Sequence, residues 1–83
     1  MKTILLHHTL IPMNKTKINK LKLVLVEKGK TNKWLADELG MNETTISRWC
    51  TNDIQPPLEK LLKIARLLDV DIKELLVSSK ITV

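Results

Sequence analysis

Residues 32–50 read NKWLADELGMNETTISRWC, and this stretch decides the fold. Two helical patterns flank a joint of Gly40, Met41 and Asn42. Leu35 and Leu39 stand four apart in the first pattern, and Ile46 and Trp49 three apart in the second. Either spacing puts a pair on one helix face. Thr31 precedes the first pattern and Asn42 the second. Both residue types cap helix N-termini, where a side-chain oxygen accepts from an otherwise unpaired backbone N–H. Gly40 takes positive φ in the joint at no steric cost. A joint this short makes the helices cross steeply, as in a helix-turn-helix. Ala36 is small where the second helix passes closest, so a longer side chain would force the pair apart. Leu35, Leu39, Met41, Ile46 and Trp49 supply the inner faces. Glu43, Thr44, Ser47 and Arg48 are left on the outer face of the later helix, short or polar groups that can reach base edges.

Helical patterning continues on both sides. Residues 17–28 predict a first helix stopped at Gly29, with Ile18, Leu21 and Leu25 on one face, although KLKLVLV also alternates as a strand would. TNDIQPP breaks the pattern after Cys50. LEKLLKIARLL then predicts a fourth helix, with Pro57 at its first position and Leu58, Leu61, Leu62, Ala65 and Leu68 on its apolar side. Asp71 with Glu74 resembles a capping box and opens a short fifth helix, IKELLV, that buries Ile72, Leu75 and Leu76. The expected fold is all-α: five short helices on one core, with the helix-turn-helix at helices 2 and 3. Residues 17–77 form the domain, residues 1–16 a tail or arm, and residues 78–83 a short end.

Composition narrows the function. Eighty-three residues hold one core, and 43% apolar content favours a packed domain over disorder. The net charge of +5 favours an anionic partner. The charge is uneven: residues 13–33 hold seven Lys against Glu27, a net +6. Residues 34–54 set Asp37, Glu38, Glu43 and Asp53 against Arg48, a net −3. The lysines of helix 1 and the turn after it, with helix N-termini, are therefore expected to attract phosphate. One Cys closes no intrachain disulfide, which fits a reducing, cytoplasmic setting. No apolar run approaches the roughly 18 residues of a membrane span. The opening MKTILLHHTLIP does not read as a secretory leader, because its apolar run stops at His7-His8 without a small-residue cleavage site.

No catalytic constellation stands out. Cys50 has no positioned base, and His7-His8 have no further ligands at suitable spacing. Glu59, Asp69, Asp71 and Glu74 read as helix-terminus and surface charges. No enzyme activity, cofactor or metal is expected. Trp49 reads as core; Trp34 reads equally as core edge or partner surface. The apolar TILLHHTLI has three readings: a disordered leader, an extension before Met13, or an arm pairing with residues 81–83 or a second copy.

Several elements resemble, in order and spacing, the Xre-type, lambda-repressor-like helix-turn-helix domain, over about residues 17–77. They are Thr31-Asn32, Leu35-Ala36, Leu39-Gly40, Thr45-Ile46-Ser47-Arg48, a Pro-bearing loop, LLKIARLLDV and a closing DIKELL. The resemblance makes Leu35, Ala36, Leu39, Gly40, Ile46 and Trp49 the motif core. It implies that helix 3, about residues 43–50, enters the major groove of double-stranded DNA. Glu43, Thr44 and Arg48 become the base readers, and Asn32, Lys33, Thr45 and Asn52 the phosphate contacts. The implied function is a sequence-specific transcriptional regulator, of repressor type, acting as a homodimer. An antitoxin-type module holding a protein partner is the competing expectation, motivated by Trp34 and the apolar tail. Many members pair an Arg on helix 1 with a Glu ending helix 3; those positions here are Leu25 and Cys50. Apolar groups that replace a buried ion pair together are often neutral or stabilising.

Overall fold

The computed structural model describes residues 16–80. Readings that concern His7-His8, Met13 or pairing of the chain ends lie outside those residues. Four α-helices follow in order: α1 (Leu21–Glu27), α2 (Asn32–Leu39), α3 (Glu43–Cys50) and α4 (Leu58–Leu68). A single 3₁₀ turn, Ile72–Leu75, comes last. The class is all-α as expected, but among the described residues the count is four helices and not five. After Leu75 the chain turns extended at Leu76, which forms an antiparallel bridge with Asn19. Lys20 N–H donates to Leu75 O at 2.8 Å and Val77 N–H to Ile18 O at 2.8 Å. That pairing takes the backbone a longer helix would have used.

The same pairing shortens α1, which begins at Leu21 and not near residue 17. Extended backbone before it sends Asn19 inward and leaves Ile18 47% exposed, against the expectation that Ile18 faces the core. The termini of α2 and α3 follow the expected chemistry. Thr31 Oγ1 accepts from Trp34 N–H at 3.0 Å, and Asn42 Oδ1 accepts from Thr44 N–H at 2.6 Å. Gly40 closes α2 at φ +63°. There Gly40 N–H donates to Asp37 O at 3.2 Å and Met41 N–H to Ala36 O at 2.9 Å, the paired closure that a left-handed residue permits. Asp71 and Glu74 form the expected capping box.

Leu35, Ala36 and Leu39 of α2 pack with Ile46 and Trp49 of α3 in one buried cluster. Leu21, Val24 and Leu25 of α1, Leu61, Ile64, Ala65 and Leu68 of α4, and Leu75 complete it. Each large aliphatic side chain so buried contributes about 1.5–3 kcal/mol. Two apolar assignments on α4 are corrected: Leu58 is 71% and Leu62 42% exposed. Pro57 occupies the cap position, one residue earlier than expected. The inward row is therefore Leu61, Ile64, Ala65 and Leu68, at spacings of three and four. Ile72 and Leu76 are only half-buried.

Candidate nucleic-acid interface

α3 divides cleanly by exposure. Ile46 and Trp49 are buried, whereas Glu43, Thr44 and Arg48 are exposed, with Thr45 and Ser47 between. Glu43 with Ser47, and Thr44 with Arg48, are each four residues apart and share an outward face. The three candidate base readers thus stand together on one free helix edge. Glu43 in the first turn and Arg48 in the last also suit the helix dipole, by about 0.3–1 kcal/mol each. Those two positions stabilise α3 whether or not they touch a base.

The phosphate candidates separate. Lys33 is exposed but lies 3.3 Å from the Asp37 carboxylate. Such a surface pair one turn apart is worth about 0.3–0.5 kcal/mol, little enough for a phosphate to displace it. Thr45 is half-buried. Asn52 is corrected: it is 7% exposed and turned inward. Its Oδ1 accepts from Ile18 N–H at 2.8 Å, Asn19 N–H at 3.0 Å and Gln55 Nε2 at 3.1 Å. Its Nδ2 donates to Asn19 O at 3.1 Å. An amide so engaged and so buried holds the loop after α3 against the segment before α1 and faces the interior. Its backbone, at φ +63°, sits where only Gly and Asn are commonly found.

Asn32, at the first turn of α2, is half-buried. Its Oδ1 accepts from Lys22 Nζ at 3.1 Å and from Cys50 Sγ at 3.5 Å. Cys50 therefore does more than pack against the core. Burial pushes its thiol up from the usual range, with Lys22 pulling weakly the other way. The thiol keeps its proton at neutral pH and donates it. Lys17, Lys20 and Lys22 line a recess of about 240 Å³ beside Cys50 and Leu23, with no carboxylate in its wall. A larger recess of about 660 Å³, lined by Pro57, Leu58, Glu59, Leu62 and Ile72, is apolar and has no cation to attract a polyanion.

Sequence reasoning missed Lys22 and Asn19 as individuals. Lys22 was one lysine in a run, and only the fold brings it to Asn32. Trp34 is half-buried against the core, with Lys30 Nζ 4.8 Å from its ring centroid. Among the described residues no cluster of three or more His, Cys, Asp or Glu could hold a metal ion. No helix among them is long and apolar enough to cross a membrane.

Comparison with known proteins fits this geometry. No curated protein matches the sequence. The chain is similar to a candidate DNA-binding protein from Bacteroides fragilis, known from its crystal structure. The two share 52% identity and a TM-score of 0.72, over 72% of this chain and 97% of that one. A helix-turn-helix family model matches residues 21–75, from the first residue of α1 to the last of the 3₁₀ turn. With that span matched and α2 and α3 crossing at Gly40, the chain belongs to the lambda-repressor-like helix-turn-helix family.

Proposed function

We propose that the protein is a sequence-specific DNA-binding transcriptional regulator that places α3 in the major groove. One observation carries the reading: Glu43, Thr44 and Arg48 share a free edge of α3 while Ile46 and Trp49 hold its other side in the core. A helix packed this way offers a rigid polar edge of groove-fitting width. Arg48 can donate two bonds to guanine O6 and N7, Glu43 can accept from cytosine N4, and Thr44 can bond a base or touch a thymine methyl. Phosphate contacts from lysines outside α3 supply attraction, and acidic Glu43 penalises wrong sequences. A domain seated on a promoter excludes other proteins from it, so repression is the proposed mode. Two copies on a two-fold site, with half-sites about 34–36 Å apart, complete the arrangement.

Selection of bound duplexes from a random library tests the proposal. A palindromic consensus is expected. Arg48→Ala should lose about 1–3 kcal/mol of discrimination at one base position per half-site and leave the other positions alone. An unchanged consensus for that variant removes Arg48 from the reading edge. Trp34 is half-buried at the core edge with Lys30 Nζ 4.8 Å from its ring, which supports the core-edge reading of this residue. A chain that retains one stoichiometric protein and no duplex would favour the antitoxin-type reading.

A further inference from the structure

Four aliphatic side chains stand outside the core where the described chain begins and ends. Val77 N–H donates to Ile18 O at 2.8 Å, and the bridge between Asn19 and Leu76 lies one residue along. Residues opposite in an antiparallel pair share a face, and neighbours along a strand alternate. Asn19 takes the inner face and is buried, so Ile18 and Val77 turn outward together. On α1 the buried Leu21, Val24 and Leu25 fix the inner side. Leu23 and Val26, three apart, are left outside at 54% and 61% exposed. Leu23 and Val77 line the same recess of about 240 Å³, which joins the helix pair to the ladder pair. Lys17, Lys20 and Lys22 stand in its wall and rim the patch with positive charge.

We propose that the apolar segment from Thr3 to Ile11 folds back over this patch and covers Ile18, Leu23, Val26 and Val77. The chain enters the described fold at Thr16, two residues before Ile18, so the segment starts from the edge of the patch. On the way, Ile11-Pro12-Met13-Asn14 offers reverse-turn chemistry, with Pro at the second position. Reach is ample: nine extended residues span about 30 Å, whereas the seven of α1 span about 10 Å. The segment supplies Ile4, Leu5, Leu6, Leu10 and Ile11. It has no Lys, Arg, Asp or Glu, so it meets the lysine rim without repulsion. A short tether also holds it at an effective concentration in the millimolar range. A second copy fits less well. A two-fold contact through this face would press the lysine rim against itself. Four exposed side chains also fall far short of the roughly 20–30 residues a side in a stable interface.

The test is methyl NMR on the full chain. Nuclear Overhauser contacts are expected between the methyls of Leu5, Leu6 or Leu10 and those of Leu23, Val26 or Val77. A mixture of labelled and unlabelled chains, filtered to record only contacts between copies, should show none of them. Val26 lies outside the buried core, so Val26→Lys keeps the fold. Val26→Lys and Leu6→Lys should each abolish the contacts and lower Tm by about 4–8 °C, the loss expected when a covered aliphatic group is stripped of its partner. The double variant should lose no more than the larger single loss, because both changes break one contact. Leu58→Lys, at an exposed position on α4, is the control and should leave the contacts and Tm unmoved. Contacts that survive the filter overturn the proposal and make this face an interface between copies. Absence of contacts of either kind overturns it too, and leaves the patch to a partner whose acidic side chains suit the lysine rim. Additive Tm losses in the double variant would show that Leu6 and Val26 do not meet.

Discussion

Asn52→Ala should destabilise the domain by about 3–5 kcal/mol, a large share of the roughly 5–15 kcal/mol that holds a small domain folded. The size follows from what the side chain holds. Ile18 N–H and Asn19 N–H both donate to its Oδ1, and Asn19 O accepts from its Nδ2. Asn19 is itself 4% exposed and spends its own amide on Trp49 O, Gln55 Oε1 and Leu21 N–H. Removing Asn52 orphans backbone groups that water cannot easily reach, at about 1–3 kcal/mol for each buried one. Alanine at φ +63° adds about 1–2 kcal/mol of backbone strain. Asn52→Gly separates the two terms, since it loses the network but relieves the strain. Urea midpoints should therefore rank parent, then Asn52→Gly, then Asn52→Ala, at unchanged m-value. An Asn52→Ala unfolding free energy within about 1 kcal/mol of the parent would show that the two asparagines do not hold the ends of the domain together.

That network marks the limit of what local pattern could reveal. The caps at Thr31, Asn42 and Asp71 and the stop at Gly40 act over two to four residues, and each was legible from residue type and spacing. The link from Asn19 to Asn52 spans 33 residues. Both look like surface asparagines in the sequence, and nothing nearby in the chain announces their burial. Ile18 was misjudged for the same reason: a helical period places it beside Leu21, but tertiary pairing holds its backbone extended. Leu58 was misjudged because it keeps period with Leu61 while sitting past the edge of the core. Periodicity gives a helix face; it does not say where the neighbouring helices end.

The candidate reading edge was more legible than the candidate phosphate contacts. A helix with two buried apolar residues has its outer face determined, so the outward placing of Glu43, Thr44, Ser47 and Arg48 followed from Ile46 and Trp49, while the base-reading role of Glu43, Thr44 and Arg48 is what the family resemblance implies. Phosphate contacts are drawn from several elements, and their geometry exists only after folding. A lysine-rich stretch could be seen, but not which lysine meets Asn32. The paired replacement at Leu25 and Cys50 was visible by position; the hydrogen bond that Cys50 makes was not.

The two tryptophans should behave as opposites. Trp49→Ala is expected to cost about 3–5 kcal/mol, because it empties a site 3% exposed between α3 and the remaining helices. For a domain this size each kcal/mol lowers Tm by about 4–8 °C, so the fall should exceed about 12 °C. Affinity for every duplex should fall with it, since α3 keeps its angle only while Ile46 and Trp49 stay seated. Trp34→Ala removes a half-buried ring and its contact with Lys30, an exposed cation–π pair worth about 0.5–1 kcal/mol. Its Tm should drop by well under half as much. Fluorescence assigns the two independently of stability. In Trp34→Phe the remaining Trp49 should resist acrylamide quenching and shift to the red on unfolding. In Trp49→Phe the remaining Trp34 should quench readily in the folded state. Equal Tm losses for the two alanine variants, or a readily quenched Trp49, would mean that α3 is not anchored through its inner face. The outward placement of Glu43, Thr44 and Arg48 depends on that anchoring, so the proposed reading edge would be lost with it.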